Sequence, residues 1–389
     1  MGVENHILKD LHKKLAIDGL TFVLENGEVL TGGTERFRIT FRDSLPKNQF
    51  LADPQMALAE AYMDGRVDIT GNFREFIETL YLSQANFMQS GVAAKLLKKV
   101  AANTIKKSQQ NVEHHYDIGN DFYKLWLDRK LIYSCAYFKD PQDDLDMAQR
   151  QKIEHSLKKL CLKPGDRLLD IGCGWGELML TAAKNYGVQA CGVTLSHEQR
   201  KRVEERIEEE GMTGRVSVEL ADYRDLKDHS FNKIISIGMV EHVGKKHLPE
   251  YFAAAYRLLT ENGVFMLHSI TGPKDGGMNE WINKYIFPGG YIPAIKELVT
   301  EAADAGFLIT DLESLRRHYG LTLIHWAKNF EEHLDEVRQS KDERFIRMWR
   351  MYLNACAASF NVANIDLHQM VLTKGLCDDR PWTREYLHL

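Results

Sequence analysis

Apolar and polar positions divide the chain into three stretches of different rhythm. Over residues 1–85, short apolar runs at Asp18–Leu24 and Phe37–Phe41 flank turns at Asn26-Gly27 and Gly32-Gly33 and predict strands. Asp53-Pro54 then opens a predicted helix with apolar Met56, Leu58, Ala59, Tyr62 and Met63, ending at Gly65. This is the pattern of a small α+β accessory domain. Residues 86–112 contain Lys95, Lys98, Lys99, Lys106 and Lys107 and no acidic residue, interleaved with Val92, Leu96, Leu97, Val100 and Ile105. They read as a basic, partly amphipathic helix. From 147 onward helices and strands alternate, with strands predicted at Leu168–Ile171, Gln189–Val193, Val216–Leu220, Lys233–Ile237 and Gly263–Leu267. A charged helix from Ser196 to Glu210 is among those between. That alternation predicts a parallel, doubly wound sheet with its ligand at the C-terminal strand ends. A last helix with an apolar stripe spans Phe345–Phe360.

One strand end stands out. Leu168-Leu169-Asp170-Ile171 runs into Gly172-Cys173-Gly174-Trp175-Gly176, and a helix begins near Glu177. Glycines let backbone approach a ligand, and a helix N-terminus offers free N–H groups, so the loop suits a nucleoside or dinucleotide cofactor. A tight turn with no ligand is the plain alternative. The spacing is not the GxGxxG of dinucleotide folds. Asp-x-Gly-x-Gly-x-Gly resembles motif I of class I S-adenosylmethionine-dependent methyltransferases. The next strand ends Gly192-Val193-Thr194-Leu195-Ser196, without the carboxylate that usually holds a ribose. This argues against a nicotinamide enzyme and leaves Thr194, backbone groups and Gln199 for that task. Asp222 is placed either to accept from an adenine amino group or to cap a helix.

Bulk properties narrow the classes. A chain of 389 residues, 44% hydrophobic and 27% charged, has the ordinary composition of a soluble globular protein and room for a large and a smaller domain. A net charge of −5 argues against a dedicated nucleic-acid binder. The chain lacks an apolar run of roughly 18 residues, and its start has neither a signal-peptide core nor a myristoylation pattern. Cys135, Cys161, Cys173, Cys191, Cys356 and Cys377 are scattered without metal-like spacing, which fits a reduced, cytoplasmic setting. Adjacent His114 and His115 invite a metal, but no third ligand stands at a suitable offset, and no metal is expected. The basic segment suits an anionic membrane surface or, equally, a solvated linker.

Several motifs now occur in order. His114-His115-Tyr116-Asp117 and Tyr133-Ser134-Cys135-Ala136-Tyr137-Phe138 precede the glycine loop. Asp222-Tyr223-Arg224-Asp225, Gly238-Met239-Val240-Glu241-His242-Val243-Gly244, Leu267-His268-Ser269-Ile270, Trp281–Pro288 and His318-Tyr319-Gly320-Leu321-Thr322-Leu323 follow it. Together they resemble the bacterial cyclopropane-fatty-acyl-phospholipid synthases, closely over residues 110–380 and more loosely before that. They are more distantly similar to the mycolic acid cyclopropane synthases, which lack the N-terminal domain.

The resemblance implies a class I S-adenosylmethionine-dependent methyltransferase fold: an α/β, Rossmann-like, mostly parallel doubly wound sheet with a small N-terminal α+β domain. Residues 1–110 would form the accessory domain for membrane or lipid docking, with a basic linker helix at 91–110, and residues 111–389 the catalytic domain. The implied reaction moves the methyl of S-adenosylmethionine to the cis double bond of a phospholipid acyl chain. A carbocation forms, a bound bicarbonate ion takes a proton, and the ring closes, leaving S-adenosylhomocysteine. The implied bicarbonate pocket is Cys135, Glu241, His268, Ile270 (through backbone) and Tyr319. The implied cofactor contacts are Tyr133, Ser134, the loop Gly172, Cys173, Gly174, Trp175 and Gly176, then Thr194, Leu195 and Gln199, with Asp222, Tyr223, Arg224 and Ile237. Asp170 would fix the loop. Tyr137, Phe138, Trp281, Tyr285, Phe287 and Tyr319 are candidate aromatic faces for the cation, and a C-terminal helix pair would cover the acyl site. The family further implies a homodimer on the inner face of the cell membrane. A fatty-acyl alkene methyltransferase giving a methyl-branched product, and a non-catalytic lipid-binding protein, are the alternatives. Intact motif residues argue against the second.

Overall fold

A computed structural model describes residues 5–83, 119–227, 231–274 and 277–388. The basic segment with Lys95, Lys98, Lys99, Lys106 and Lys107 lies outside them, as does the run His114-His115-Tyr116-Asp117. The chain forms two compact units, one of Met1–Val100, Asn279–Ile286 and Leu323–Asn364, the other of Ala101–Met278, Phe287–Thr322 and Ile365–Leu389. The partition differs from a single boundary at 110, because two later segments return to the first unit.

In the first unit β1 (Leu20–Val23), β2 (Val29–Thr31), β3 (Phe37–Phe41) and β4 (Val67–Thr70) form a sheet in the order β2-β1-β3-β4. Alternate residues of β3, Phe37, Ile39 and Phe41, are buried against Leu8, Leu11 and Leu15 of the Asn5–Leu15 helix. The Pro54–Met63 helix starts where Asp53 accepts from the Met56 amide at 2.9 Å, with Pro54 in the first turn. The expected C-terminal helix is Glu343–Asn361, capped by Asp342. It packs on Phe73–Leu82 and Pro54–Met63, and Arg347 donates to the Val67 carbonyl and Asp68. Within this unit it is therefore a structural helix.

The second unit is built on β5 (Arg167–Ile171), β6 (Gln189–Thr194), β7 (Val216–Leu220), β8 (Phe231–Ile237), β9 (Leu259–Thr271), β10 (Leu308–Ser314) and β11 (Asp366–Thr373). Their order is β10-β11-β9-β8-β5-β6-β7. Strands β5 to β9 are parallel, and β11 is antiparallel to both of its neighbours. Both faces are buried. Leu168, Ile235, Val264, Met266 and Val371 join one core with Ile153, Leu157 and Leu160 of the Leu145–Leu160 helix. Leu169, Ile171, Ile234, Phe265, Leu267, Met370 and Leu372 join the other with the Leu248–Leu258 and Ile295–Asp304 helices. The expected doubly wound sheet is present. Strands β10 and β11 were not legible as strands. Leu308, Ile309 and Leu312 of edge strand β10 are exposed, so its side chains carry no burial rhythm.

Gly192 lets β6 sit against the glycine loop. A Cβ there would lie 2.7 Å from Met179 Sδ and 2.8 Å from Cys173 Sγ. Gly192→Val is expected to destabilise the protein by about 1–3 kcal/mol through overpacking, seen as a lower midpoint in thermal unfolding. An unchanged midpoint would contradict this packing.

Candidate active site

The loop after β5 is shaped by its backbone. Gly172, Gly174 and Gly176 take φ of +83°, +54° and +82°, values that side chains with a Cβ seldom adopt. The amides of Gly172 and Cys173 both donate to the Val193 carbonyl, at 3.0 and 3.1 Å, which pins the loop to β6. A Cβ on Gly172 or Gly176 would meet Met239 or Val203 at 3.0 Å, whereas Gly174 faces open space. Behind the loop stand Tyr123, Trp126 and Tyr133, with Tyr123 5.7 Å from Trp175 and Tyr133 5.2 Å from Trp126, centre to centre. Trp175 also donates to Asn120 at 3.1 Å. Much of the aromatic density before β5 is therefore packing around the loop.

The loop edges a cleft of about 1280 Å³, counted out to open solvent. Tyr133, Ser134, Asp170, the loop from Gly172 to Gly176, Thr194, Leu195, Gln199, Asp222, Tyr223, Arg224 and Ile237 all line it. The second strand's missing carboxylate has a visible substitute. Thr194 donates to Gln199 at 2.8 Å while its oxygen accepts the Ser196 amide, so hydroxyl and amide are held as a unit at the strand end. Asp222 caps the Tyr223–Asp225 turn and grips Arg224 through both oxygens, at 2.8 and 2.7 Å. The cap and the cleft position coexist.

A second cluster adjoins this lining. Cys135 follows Ser134, Glu241 precedes His242, and His268 is the register partner of Ile237 across β8 and β9. Glu241 sits in a short turn directly after β8 and does not cap the next helix. Its Oε1 accepts the Ile270 amide at 2.7 Å, and its Oε2 is buried without a hydrogen-bond partner. Burial pushes its carboxyl up to about 7, against the pull of the Ile270 amide. His268 Nδ1 lies 3.1 Å from the Gln369 amide nitrogen, which assigns the ring proton to Nε2, itself buried without a partner. Burial, then the nearby Lys152 charge, holds this imidazole neutral. Cys135 is fully buried, its thiol bonded to the Ala136 carbonyl and its pKa raised by burial. Tyr319 stands one helical turn before Thr322, whose hydroxyl accepts the Ala136 amide at 3.0 Å. The chain thus carries Tyr319 to the Cys135 segment.

The other candidates are aromatic. Trp281 and Tyr285 belong to the other compact unit, where Trp281 meets Met63 and Tyr285 donates to Glu60 at 2.6 Å. Tyr137 is sandwiched between His155 and His318, ring centres 4.1 and 4.6 Å away. Phe287 lies edge-on to His242 at 6.0 Å.

The sequence reading missed residues that hold the site together. Gln149 donates to the carbonyls of Ile132 and Ser134, and Lys152 donates to the Ser134 hydroxyl at 2.9 Å. Asp128 accepts the Lys130 and Ile132 amides at 2.8 Å, bending the chain through Leu131 at φ +58°. Gln369, on β11, orients His268 and is tied to Ser156. The available signal was spacing: Gln149, Lys152, Ser156 and Lys159 repeat every three to four residues, a polar stripe on a buried helix face.

Comparison with known proteins follows the same lines. Residues 103–370 match the family described as mycolic acid cyclopropane synthetase, and residues 7–91 match a domain family of unknown function. A "probable fatty acid methyltransferase" of Pseudomonas putida is 39% identical over 87% of this chain and 88% of its own. The cyclopropane-fatty-acyl-phospholipid synthase of Escherichia coli K12 is 44% identical over 68% of each chain. Among solved structures, mycolic acid cyclopropane synthase CmaA1 complexed with SAH and CTAB superposes with a TM-score of 0.65 at 34% identity, over 68% of this chain and 98% of its own.

Glu241 makes stability depend on pH. Its carboxyl titrates near 7 when folded against an ordinary 4.5, so the folded state holds the extra proton between those values. The favourable contribution is complete below about 4.5 and is lost as pH rises through about 7. Glu241→Gln removes the titration. Urea unfolding at pH 4.5, 6 and 8 should show the variant gaining stability relative to the parent as pH rises; a constant difference would contradict the burial argument.

Proposed function

This chain belongs to the mycolic acid cyclopropane synthetase family and is an S-adenosylmethionine-dependent methyltransferase, and we propose that it converts a cis double bond of a membrane phospholipid acyl chain into a cyclopropane ring. The donor supplies an electrophilic methyl group on a sulfonium sulfur. Residues of the cleft fit it: a glycine loop bare of Cβ atoms, Thr194 and Gln199 for ribose hydroxyls, and Asp222 at the adenine end. An alkene is a feeble nucleophile, so the residues around it must align it and keep water out.

The observation that carries the chemistry is that Glu241 Oε2 and His268 Nε2, both on residues next to the cleft lining, are among the buried side-chain atoms without a hydrogen-bond partner. Buried polar atoms are seldom left unsatisfied, and such a pair suits a small bound ion. Bicarbonate fits: His268 Nε2–H can donate to an anionic oxygen, and Glu241, titrating near neutrality, can share a proton with the ion rather than repel it. Cys135 stays a thiol and Tyr319 offers a hydroxyl, so neither adds negative charge. Cys135, Glu241, His268, Tyr319 and the Ile270 backbone are the groups that would hold the ion, which would supply a base beside the cation. Aromatic Tyr137 and Phe138 stand two and three residues after Cys135, within the same segment.

The substrate lies in a bilayer, and none of the described helices is long and apolar enough to cross one. We therefore assign docking to the basic segment of residues 91–110, on the inner face of the cell membrane, and to a homodimer that sets two sites on one surface.

The first test incubates protein, S-adenosylmethionine and vesicles of cis-unsaturated phospholipid, then takes a proton NMR spectrum of the lipid. High-field ring protons should grow as vinyl signals fall; vinyl or methyl-branch signals with the same mass gain would move the reaction to alkene methylation, and an unchanged lipid would point to a non-catalytic binder. Glu241→Gln and His268→Ala should each slow ring formation by roughly 100-fold, with S-adenosylhomocysteine affinity retained; loss of that affinity instead would refute the separate anion pocket. Charge reversal at Lys98, Lys99, Lys106 and Lys107 should weaken sedimentation with anionic vesicles, at about 1 kcal/mol per lysine. Binding that does not change would remove the docking assignment.

A further inference from the structure

The His197–Glu209 helix is charged along most of its length, and one of its charges points inward. Its buried face carries Gln199, Val203, Arg206 and Ile207, at the spacing of a core-facing stripe, so a guanidinium stands among positions that a helix normally fills with apolar side chains. Arg206 is 7% exposed. A buried charge is costly unless it is paired, so its partners show what it is there for. Nη1 donates to the Trp175 carbonyl at 2.9 Å, and Nη2 donates to Glu177 and, at 2.9 Å, to Glu210. Trp175 belongs to the glycine loop, and Glu177 is the first residue of the helix that follows it. Both line the cleft; Arg206 does not.

The same helix face meets the cofactor side at three successive turns. Gln199 accepts from Thr194 at 2.8 Å, Val203 packs where a Cβ on Gly176 would come within 3.0 Å, and Arg206 takes the carbonyl just before that glycine. A loop with three glycines has more backbone freedom to lose than other sequences, and a ligand that had to order it would bind more weakly. The Val193 carbonyl holds the start of the loop through the Gly172 and Cys173 amides. Arg206 holds its other end. The Trp175–Gly176 peptide cannot turn without costing a buried guanidinium one of its acceptors.

We infer that Arg206 is a positioning residue for the methyl donor: from outside the cleft it holds the end of the glycine loop in its ligand-ready form, so that binding does not have to order the backbone. This rests on the reading of the cleft as the S-adenosylmethionine site and is independent of the lipid and of bicarbonate. Lysine is a partial substitute, because an ammonium lacks the planar fork that reaches a carbonyl and two carboxylates at once. An uncharged side chain is no substitute, and it also takes from Glu177 and Glu210 the cation they share.

The test pairs hydrogen exchange of the loop with calorimetric binding of S-adenosylhomocysteine to the full chain. In the ligand-free parent the amides of Gly172, Cys173 and Gly176, each bonded to a backbone carbonyl, should exchange slowly. Arg206→Met should speed exchange over residues 172–178 by about tenfold or more, leave β8 and β9 as protected as in the parent, and weaken S-adenosylhomocysteine about tenfold to a hundredfold, the range of one buried charge-assisted contact. Saturating ligand should restore the protection, and Arg206→Lys should recover part of both effects. Arg206→Met combined with Glu177→Gln should behave as Arg206→Met alone; full affinity in the double variant would trace the loss to a stranded carboxylate and overturn the positioning role. Fast exchange in the ligand-free parent would overturn it without any variant having to fold, and so would protection lost across the whole sheet rather than in the loop. A parent that does not bind S-adenosylhomocysteine would overturn the reading of the cleft and this assignment with it, whereas parent binding that Arg206→Met leaves unchanged would overturn the assignment alone.

Discussion

A buried helix face that carries polar side chains is the constraint on which the site depends. The Leu145–Leu160 helix lies on the sheet with Ile153, Leu157 and Leu160 in the core, and the same face turns Gln149, Lys152, His155, Ser156 and Lys159 inward. Each of these would cost on the order of 1–3 kcal/mol if left without a partner. The partners they find are pieces of the active site. Gln149 and Lys152 hold the Ile132–Ser134 segment, Ser156 holds the glutamine that orients His268, and His155 and Lys159 both hold Glu313, at 2.7 and 2.5 Å. Burial raises Glu313, but these two partners outweigh it and bring its carboxyl down to about 2. Satisfying one helix face therefore assembles the cleft, the surroundings of His268 and the strand end before Tyr319.

Burial also sets the charge state of the site, and always in the same direction. It pushes the carboxyls of Asp170 and Glu241 up to about 7, lowers His242 to about 4, holds His268 well below the ordinary imidazole range, and keeps Cys135 a thiol. The pocket beside the cleft is therefore made of neutral donors and a carboxyl poised to carry a proton. A charge formed there is felt strongly, because the surroundings screen it poorly.

Sheet topology supplies the remaining geometry. Since β11 inserts antiparallel between β9 and β10, Gln369 falls opposite His268 in the ladder. The alternation that sends Leu168, Val264 and Met266 toward the Leu145–Leu160 helix sends Asp170 and His268 to that face too. Catalytic candidates far apart in sequence meet because they share one face of one sheet beneath one helix.

The sequence alone determined the strand–glycine–helix loop, the five parallel strands, and the kind of cofactor the loop could accept, since these follow from local spacing and from backbone freedom at Gly172, Gly174 and Gly176. Family motifs further named the residues that line the cleft. What the sequence did not determine is which of its many polar groups were paired. Asp222 could be read as cap or ligand, and Lys152 passed unnoticed in a charged helix. The pairings themselves join residues far apart in the chain, such as Gln369 with Ser156 and Ala136 with Thr322. Only the tertiary structure decided them, because desolvation and hydrogen-bond partnership are properties of a place in the fold rather than of a residue in its chain.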